Sequence, residues 1–165
     1  MKGTVAALAM LPLFSTTWAD PADQRPAITS VLMHRSACYG TCPVYTVEIT
    51  SAGSVIYTGE EHVKVQGRKS ARIAPTEFRF LATAIERINF FDLRDKYLLK
   101  SDGCSTLWTD NPTVDLVITR GSEKKHVSYY YGCRGFPAAK RIMWLSDTID
   151  DVGGTTVWIG SDDAL

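Results

Sequence analysis

Apolar and polar residues alternate with a period of two over much of the first half of the chain, which is the pattern of half-buried β-strands. After Pro43, for example, Tyr45, Val47 and Ile49 alternate with polar residues. The strands that this pattern predicts are Ile28 to Arg35, a second strand that Pro43 opens, Val55 to Glu60, His62 to Gln66, and Ser70 to Ile73. Residues 51–54 are predicted to join the second and third strands as a hairpin.

The period changes to that of a helix after Pro75. Proline suits the first turn of a helix, and Glu77 is well placed for the positive N-terminal end. The residues that share one face of this predicted helix, 75–89, are Phe78, Leu81, Ala82, Ile85 and Ile88. A second helix is predicted between Pro137 and Gly153. Its inner face is predicted to carry Ala138, Ile142, Leu145 and Ile149.

A hairpin lies between the two predicted helices. Its strands, Thr113 to Arg120 and Glu123 to Tyr131, are joined by Gly121-Ser122, where glycine supplies the positive φ of a tight turn. A polar loop precedes it at 100–112, and Thr155 to Ile159 is predicted as a last strand. Together these elements predict an α+β fold, with an antiparallel sheet of roughly six to eight strands, two helices packed on one face and disulfide cross-links.

The N-terminus has the pattern of a secretory signal peptide. Lys2 is the only charged residue before Asp20, an apolar stretch runs from Val5 to Phe14, and small residues end near Ala19. We therefore expect three parts in the chain: a signal peptide at 1–19, a single globular domain at 20–160 and a loose acidic tail at 161–165. The protein is then expected in the periplasm or outside the cell.

Composition and charge narrow the possible functions. The 165 residues are 45% hydrophobic and 22% charged, with 18 basic and 18 acidic side chains. This apolar content excludes a disordered chain, and the balanced charge excludes a strongly basic protein that binds nucleic acid. No segment after the N-terminus is long and apolar enough for a membrane span.

The four cysteines, Cys38, Cys42, Cys104 and Cys133, all follow the predicted signal peptide. An even number of cysteines in an oxidising compartment predicts two disulfides. Chain entropy gives about 2 kcal/mol for Cys38–Cys42 and about 3.5 kcal/mol for Cys104–Cys133, and slightly more for either crossed pairing. The sequential pairing is favoured on geometry, because the first two cysteines flank a tight turn and the other two flank one predicted hairpin.

The segment from Cys38 to Tyr45, CYGTCPVY, is the most distinctive motif of the chain. It resembles the C-[FY]-G-T-C-P-x-[YF] core of a family of exported bacterial proteins of unknown function. The resemblance extends from about Val31 to at least Tyr97, and loosely into the hairpin at 113–131. It implies the fold and the compartment of that family, and it brings no activity, ligand or catalytic residue with it.

A redox centre and a zinc site are alternative uses of the cysteines. Thioredoxin-like centres place about two residues between their cysteines and a helix after the first one. In this chain Tyr39, Gly40 and Thr41 intervene and a strand is predicted to follow, which favours a structural cross-link. Zinc ligands usually come in pairs about two to four residues apart, and Cys104 and Cys133 are not such a pair. We therefore expect no metal and no cofactor.

The three histidines, His34, His62 and His126, are scattered along the chain. No sequence motif of a hydrolase surrounds them. His126 and Asp115 are predicted to form a surface pair across the hairpin rather than part of a catalytic triad. The sequence thus predicts no catalytic residue and no enzymatic activity, although a site assembled from distant residues stays open.

Aromatic residues near the second pair of cysteines are the candidates for binding. A Cys104–Cys133 bridge would hold the loop with Trp108 beside the strand that carries Tyr129, Tyr130 and Tyr131, and at least one of these tyrosines must leave the core face. Exposed aromatic side chains on a rigid loop are typical of protein-binding hot spots. The alternative interpretation is that all four residues simply cover the sheet.

These observations predict a small exported binding module. An inhibitor, an immunity-like protein or an envelope accessory protein would fit, and the expected partner is another protein of the cell envelope. The alternative function is a small periplasmic enzyme or a thiol–disulfide protein that uses Cys38 and Cys42. A purely structural module is a third possibility.

Overall fold

The computed structural model describes residues 27–160. The strands are β1 Ile28–Arg35, β2 Val44–Thr50, β3 Ser54–Glu61, β4 Gly67–Arg72, β5 Lys96–Tyr97, β6 Thr106–Leu107, β7 Thr113–Arg120, β8 Glu123–Tyr130 and β9 Cys133–Arg134. The helices are α1 Pro75–Arg87, α2 Ala139–Gly153 and α3 Thr156–Ile159. The predicted signal peptide at 1–19 and the predicted acidic tail at 161–165 lie outside the described residues.

One sheet of seven strands forms the body of the protein, in the order β4-β3-β2-β1-β7-β8-β5. All neighbouring strands are antiparallel except β5, which pairs with β8 in parallel over two residues. β6 and β9 form a separate two-stranded sheet. With α1 and α2 packed on one face of the large sheet, the predicted α+β fold is confirmed.

Successive side chains of each strand point to opposite faces of the sheet. Val31 and Met33 of β1 are completely buried beneath the helices, whereas Leu32 and His34 lie on the opposite face, which we call the outer face of the sheet. The helix α1 buries a stripe that differs from the predicted one only in that Ala84 is buried and Ala82 is half-buried. The core therefore lies between the inner face of the sheet and the two long helices.

Two of the predicted strands are wrong. Residues 62–66 form a connection between β3 and β4, and residues 156–159 form the short helix α3. The two segments lie against each other, because the backbone N–H groups of Lys64 and Val65 donate hydrogen bonds to the carbonyls of Ile159 and Trp158, each at 2.9 Å. The apolar residues of the two segments, except the exposed Val157, are half-buried. This partial burial produces an alternating pattern without a strand.

Both disulfides have the predicted sequential pairing. Cys38 bonds to Cys42 across the turn between β1 and β2, with 5.6 Å between the two Cα atoms. Cys104 bonds to Cys133, with 5.1 Å between the Cα atoms, and thereby fixes the two-stranded sheet of β6 and β9. The prediction from the turn and hairpin geometry is thus confirmed.

Candidate functional site

A polar cleft opens beneath the Cys38–Cys42 turn, at the end of the sheet where β1 stops. It has a volume of about 270 Å³. Arg35, the last residue of β1, lies opposite Tyr45 of β2 in the antiparallel register, and both side chains point toward α2. The helix contributes two carboxylates, Asp147 and Asp150, to the same cleft. Residues that are more than 100 positions apart in the sequence therefore meet at one site.

Asp150 is the centre of this site, and it is only 6% exposed. Its Oδ2 accepts a hydrogen bond from the hydroxyl of Tyr45 at 2.7 Å and another from Nη2 of Arg35 at 3.2 Å. Its Oδ1 accepts a hydrogen bond from the hydroxyl of Thr155 at 2.7 Å. A buried charge needs such partners, so these three donors stabilise the carboxylate inside the fold.

The guanidinium of Arg35 connects the inner face of the sheet to α2. Nη1 donates to the hydroxyl oxygen of Tyr131 at 2.9 Å, and Nη2 donates to Oδ1 of Asp147 at 3.2 Å as well as to Asp150. Its Nε is buried and has no hydrogen-bond partner within residues 27–160. Arg35 thereby connects β1 to Tyr131, which follows β8, and to two aspartates of α2.

Burial governs the proton equilibria in the cleft. It raises the pKa of Asp150, against the opposing effect of Arg35 and the hydroxyl donors. Burial also raises the pKa of Tyr45, and the neighbouring charge of Asp150 raises it further. The pKa of Tyr131 is raised by burial in the same way. The two phenols therefore keep their protons, and the hydroxyl of Tyr45 stays a donor to the carboxylate.

Sequence reasoning missed this cleft, although it did assign Arg35 to the first strand. The available signal was the alternation of side chains along the strand. Arg35 follows Met33 by two positions and so lies on the inner face, where a buried arginine needs an acidic partner. Asp147 and Asp150 are three positions apart on α2 and thus on neighbouring surfaces of the helix. Nothing in the sequence says that these two groups meet.

A second polar cluster lies on the outer face of the sheet, around Asp115 of β7. Nε2 of His126 lies 2.9 Å from its Oδ1, and Nδ1 of His34 lies 3.9 Å from its Oδ2. The hydroxyl of Ser128 also donates to Oδ1. The pair of His126 and Asp115 across the hairpin is present as predicted. In a hydrolytic triad the serine hydroxyl is bound to the histidine, whereas here Ser128 is bound to the carboxylate.

The four predicted binding residues do not lie together on one surface. Tyr129 is completely buried, with its ring 5.3 Å from that of Phe136, and so it is a core residue. Tyr131 points to the same side and contacts Arg35 in the cleft. Tyr130, between them, points to the outer face. The alternation of strand residues separates the three tyrosines, and only Tyr130 remains beside Trp108.

The loop with Trp108 is held firmly, while the indole itself is 58% exposed. The backbone N–H of Trp108 donates to the carbonyl of Gly132 at 2.8 Å, and its carbonyl accepts a hydrogen bond from the hydroxyl of Tyr130 at 2.7 Å. Cζ of Arg134 lies 4.7 Å from the centroid of the indole. We call Trp108, Tyr130 and Arg134 the Trp108 surface.

Gly132 shows how closely the backbone packs in this loop. A Cβ atom at Gly132 would lie 2.0 Å from the carbonyl oxygen of Trp108 and 2.3 Å from a ring carbon of Tyr130. Only glycine allows this approach. The position of Trp108 therefore depends on residue 132 as well as on the disulfide next to it.

The Cys38–Cys42 turn exposes one aromatic side chain, Tyr39, which is 88% exposed. Cys42 lines the cleft, and β2 follows directly at Val44. In thioredoxin-like centres the first cysteine lies at the N-terminus of a helix, which stabilises its thiolate. Here the disulfide closes a turn between two strands, as the sequence predicts.

Residues 27–160 contain no cluster of three or more potential metal-ligating side chains. Within the same range, no helix is long and apolar enough to cross a membrane.

Comparison with known protein families places the chain in a family. The model described as "Domain of unknown function (DUF6438)" matches residues 29–153. This range runs from the second residue of β1 to the end of α2 and includes both disulfides. No curated protein matches the chain.

Proposed function

Because the chain belongs to the family described as Domain of unknown function (DUF6438), which has no assigned activity, we propose a function from the geometry alone. The protein is an exported binding module, and it holds another protein of the cell envelope through the Trp108 surface. The proposal includes no catalytic step. The exposure of Trp108 on a loop with fixed geometry is the observation that carries it.

An exposed tryptophan binds tightly when it loses little freedom on association. The loop around Trp108 is already ordered by the Cys104–Cys133 disulfide, by the backbone hydrogen bond to Gly132 and by the hydroxyl of Tyr130. A partner would therefore not have to order it, and this preorganisation lowers the free-energy cost of binding. Tryptophan, tyrosine and arginine are also the residue types most enriched at hot spots.

Arg134 indicates the chemistry of the partner. Its guanidinium lies over the indole of Trp108, with Cζ 4.7 Å from the ring centroid. A stacked guanidinium still presents its in-plane donors, which match a carboxylate. We expect the partner to offer an acidic side chain beside an apolar pocket that receives the indole.

The compartment agrees with this role. Two disulfides in a domain of this size favour an oxidising environment outside the cytoplasm. The predicted signal peptide at 1–19 would deliver the chain there. An inhibitor, an immunity-like protein or an envelope accessory protein all remain within the proposal, since each works by holding a second protein.

Cross-linking in the periplasm tests the proposal. Tagged protein is cross-linked in cells, purified and analysed by mass spectrometry, and the captured partner is then titrated against the purified protein by calorimetry. Trp108→Ala is expected to weaken binding by at least about 2 kcal/mol, or about thirtyfold in Kd, because it removes the central anchor. Gly132→Ala is expected to weaken it as well, because the new methyl group displaces Trp108.

Tyr39→Ala is the matched control, since it removes the most exposed aromatic side chain of residues 27–160 and lies on a different surface. It should leave the affinity unchanged. Circular dichroism establishes that every variant is folded. If Trp108→Ala is folded and still binds the captured partner with the wild-type affinity, the Trp108 surface is not the binding site.

A further inference from the structure

The two long helices form a second surface, on the side of the protein that faces away from the sheet. A hollow of about 300 Å³ lies between the C-terminal end of α1 and the first turns of α2. It is lined by Arg87, Ile88, Lys140, Arg141 and Trp144, and its wall is almost entirely carbon. We call these five residues the helix surface.

The helix surface collects positive charge that no ion pair within residues 27–160 neutralises. Arg87 and Lys140 are exposed, and neither forms an ion pair with any residue in the range 27–160. Arg141 donates a hydrogen bond from Nη1 to the backbone carbonyl of Ile88 at 3.0 Å, which satisfies one donor and leaves its charge without a counterion there. Like charges repel, so three cations around one hollow favour an anionic ligand.

Aromatic side chains accompany these cations. Trp144 is 38% exposed at the edge of the hollow. Phe80 is 58% exposed and precedes Arg87 by seven positions, which puts it about two turns earlier on the same side of α1. Aromatic rings beside lysine and arginine are typical of the boundary between lipid headgroups and acyl chains, where the rings enter the apolar layer and the cations meet phosphate.

We propose that the helix surface docks on an anionic phospholipid bilayer, with the hollow between α1 and α2 receiving a lipid. Arg87 and Lys140 contact phosphate oxygens, and Trp144 enters the headgroup boundary. The contact is peripheral. It leaves the Trp108 surface free, because Tyr130 lies on the outer face of the sheet and the helices cover the inner face.

Charge complementarity selects an anionic bilayer over a neutral one. Each lysine or arginine at an anionic membrane surface strengthens binding by about fivefold. The carbon-lined wall of the hollow and the exposed rings add apolar area, which an acyl chain can cover. These two components together fit an amphiphile better than a purely polar anion.

Sedimentation with vesicles tests this proposal. The protein is purified from the periplasm of an exporting host and mixed with vesicles of phosphatidylglycerol and phosphatidylcholine, or of phosphatidylcholine alone. We expect binding only to the vesicles that contain phosphatidylglycerol. Arg87→Gln with Lys140→Gln should weaken it by about 25-fold, the product of two fivefold losses. Arg141 is kept, because its hydrogen bond supports the end of α1.

A double variant on the opposite side supplies the control. Arg68→Gln with Lys124→Gln removes two exposed cations from the outer face of the sheet and leaves the same net charge as the helix variant. It should bind like the wild type. Brominated acyl chains should quench tryptophan fluorescence in the wild type, and Trp144→Phe should reduce that quenching.

Three results would each overturn the proposal. One is equal binding to both kinds of vesicle, or to neither. Another is an equal loss in the two double variants, which would mean that net charge alone drives the contact. The third is binding of poly-glutamate without binding of vesicles, which would assign the helix surface to an acidic protein.

Discussion

Replacing Arg35 with methionine isolates the contribution of the buried ion pair in the cleft. Methionine keeps much of the length and the apolar stem of arginine and removes its charge and donors. Asp150 then stays 6% exposed with a carboxylate that has lost its positive partner. Removal of one member of a buried pair typically costs about 3 to 5 kcal/mol, because it leaves the other charge uncompensated.

The hydrogen bonds that Asp150 keeps after the loss of Arg35 place the expected loss of stability near the lower end of this range. Asp150 keeps the hydroxyl donors of Tyr45 and Thr155, each at 2.7 Å, and Asp147 is exposed enough for water to solvate it. We therefore expect Arg35→Met to lower the free energy of unfolding by about 3 kcal/mol. Arg68→Met, at an exposed position without an ion pair in the described range, should change it by less than about 0.5 kcal/mol.

The pH dependence gives a second readout of the same effect. The pKa of Asp150 is already raised by burial, and loss of Arg35 raises it further. A carboxyl whose pKa is higher in the folded state contributes stability below the pKa of the unfolded chain, near about 4, and loses it as the pH rises through the folded value. The deficit of Arg35→Met should therefore be smaller in acid than at neutral pH.

Urea unfolding, followed by circular dichroism with both disulfides intact, measures these differences. The experiment is run at two pH values for the wild type, Arg35→Met and Arg68→Met. A cost below about 1 kcal/mol for Arg35→Met at neutral pH would mean that Asp150 is not held by an ion pair. A cost of the expected size that does not change with pH would refute the assignment of the charge to Asp150.

The remaining predictions concern the disulfides and the buried tyrosines. Alanine at Cys104 and Cys133 should cost about 3.5 kcal/mol in urea unfolding and alanine at Cys38 and Cys42 about 2 kcal/mol, because the first pair closes the longer loop; the reverse order would contradict the loop-entropy argument. Burial raises the pKa of Tyr57 to about 12 and also raises those of Tyr45 and Tyr131. Since tyrosines in the unfolded chain lose their protons near about 10, stability should be complete below that pH and fall above it, by up to about 1.4 kcal/mol per pH unit for each buried tyrosine. Ultraviolet titration should then show these phenols ionising together with unfolding, and ionisation of all seven tyrosines near pH 10 in a folded protein would contradict the assignment.

Local periodicity is sufficient to predict most of the secondary structure. The strand from Ile28 to Arg35 and the hairpin after Thr113 have clear alternation, and one face of each is buried. The pattern fails at 62–66 and 155–159, where the connection between β3 and β4 lies against the short helix α3 and the apolar side chains are only partly buried. Alternation of apolar and polar residues indicates that one side of a segment is buried. A β-strand is one structure that produces this pattern, and other structures can produce it as well.

The candidate sites depend on contacts that sequence patterns do not contain. Arg35 and Asp150 are separated by 115 positions, and no motif relates them. For the three tyrosines, the period of two predicts that Tyr130 faces away from its neighbours, but the sequence does not say which face is buried. The helix surface was missed for a similar reason, since Arg87 and Lys140 come together only when α1 packs against α2.

The order of the strands has a consequence for how the chain can mature. β1 lies between β2 and β7, so its second edge stays open until the hairpin of β7 and β8 has been synthesised. During that interval an unpaired strand edge is a risk for aggregation. The pairing of the cysteines follows their order of synthesis, because each disulfide joins a cysteine to the next cysteine in the sequence. If the chain is exported, as we propose, and each cysteine is oxidised with the next one to emerge from the translocation pore, the native bonds form directly and no isomerase has to rearrange them.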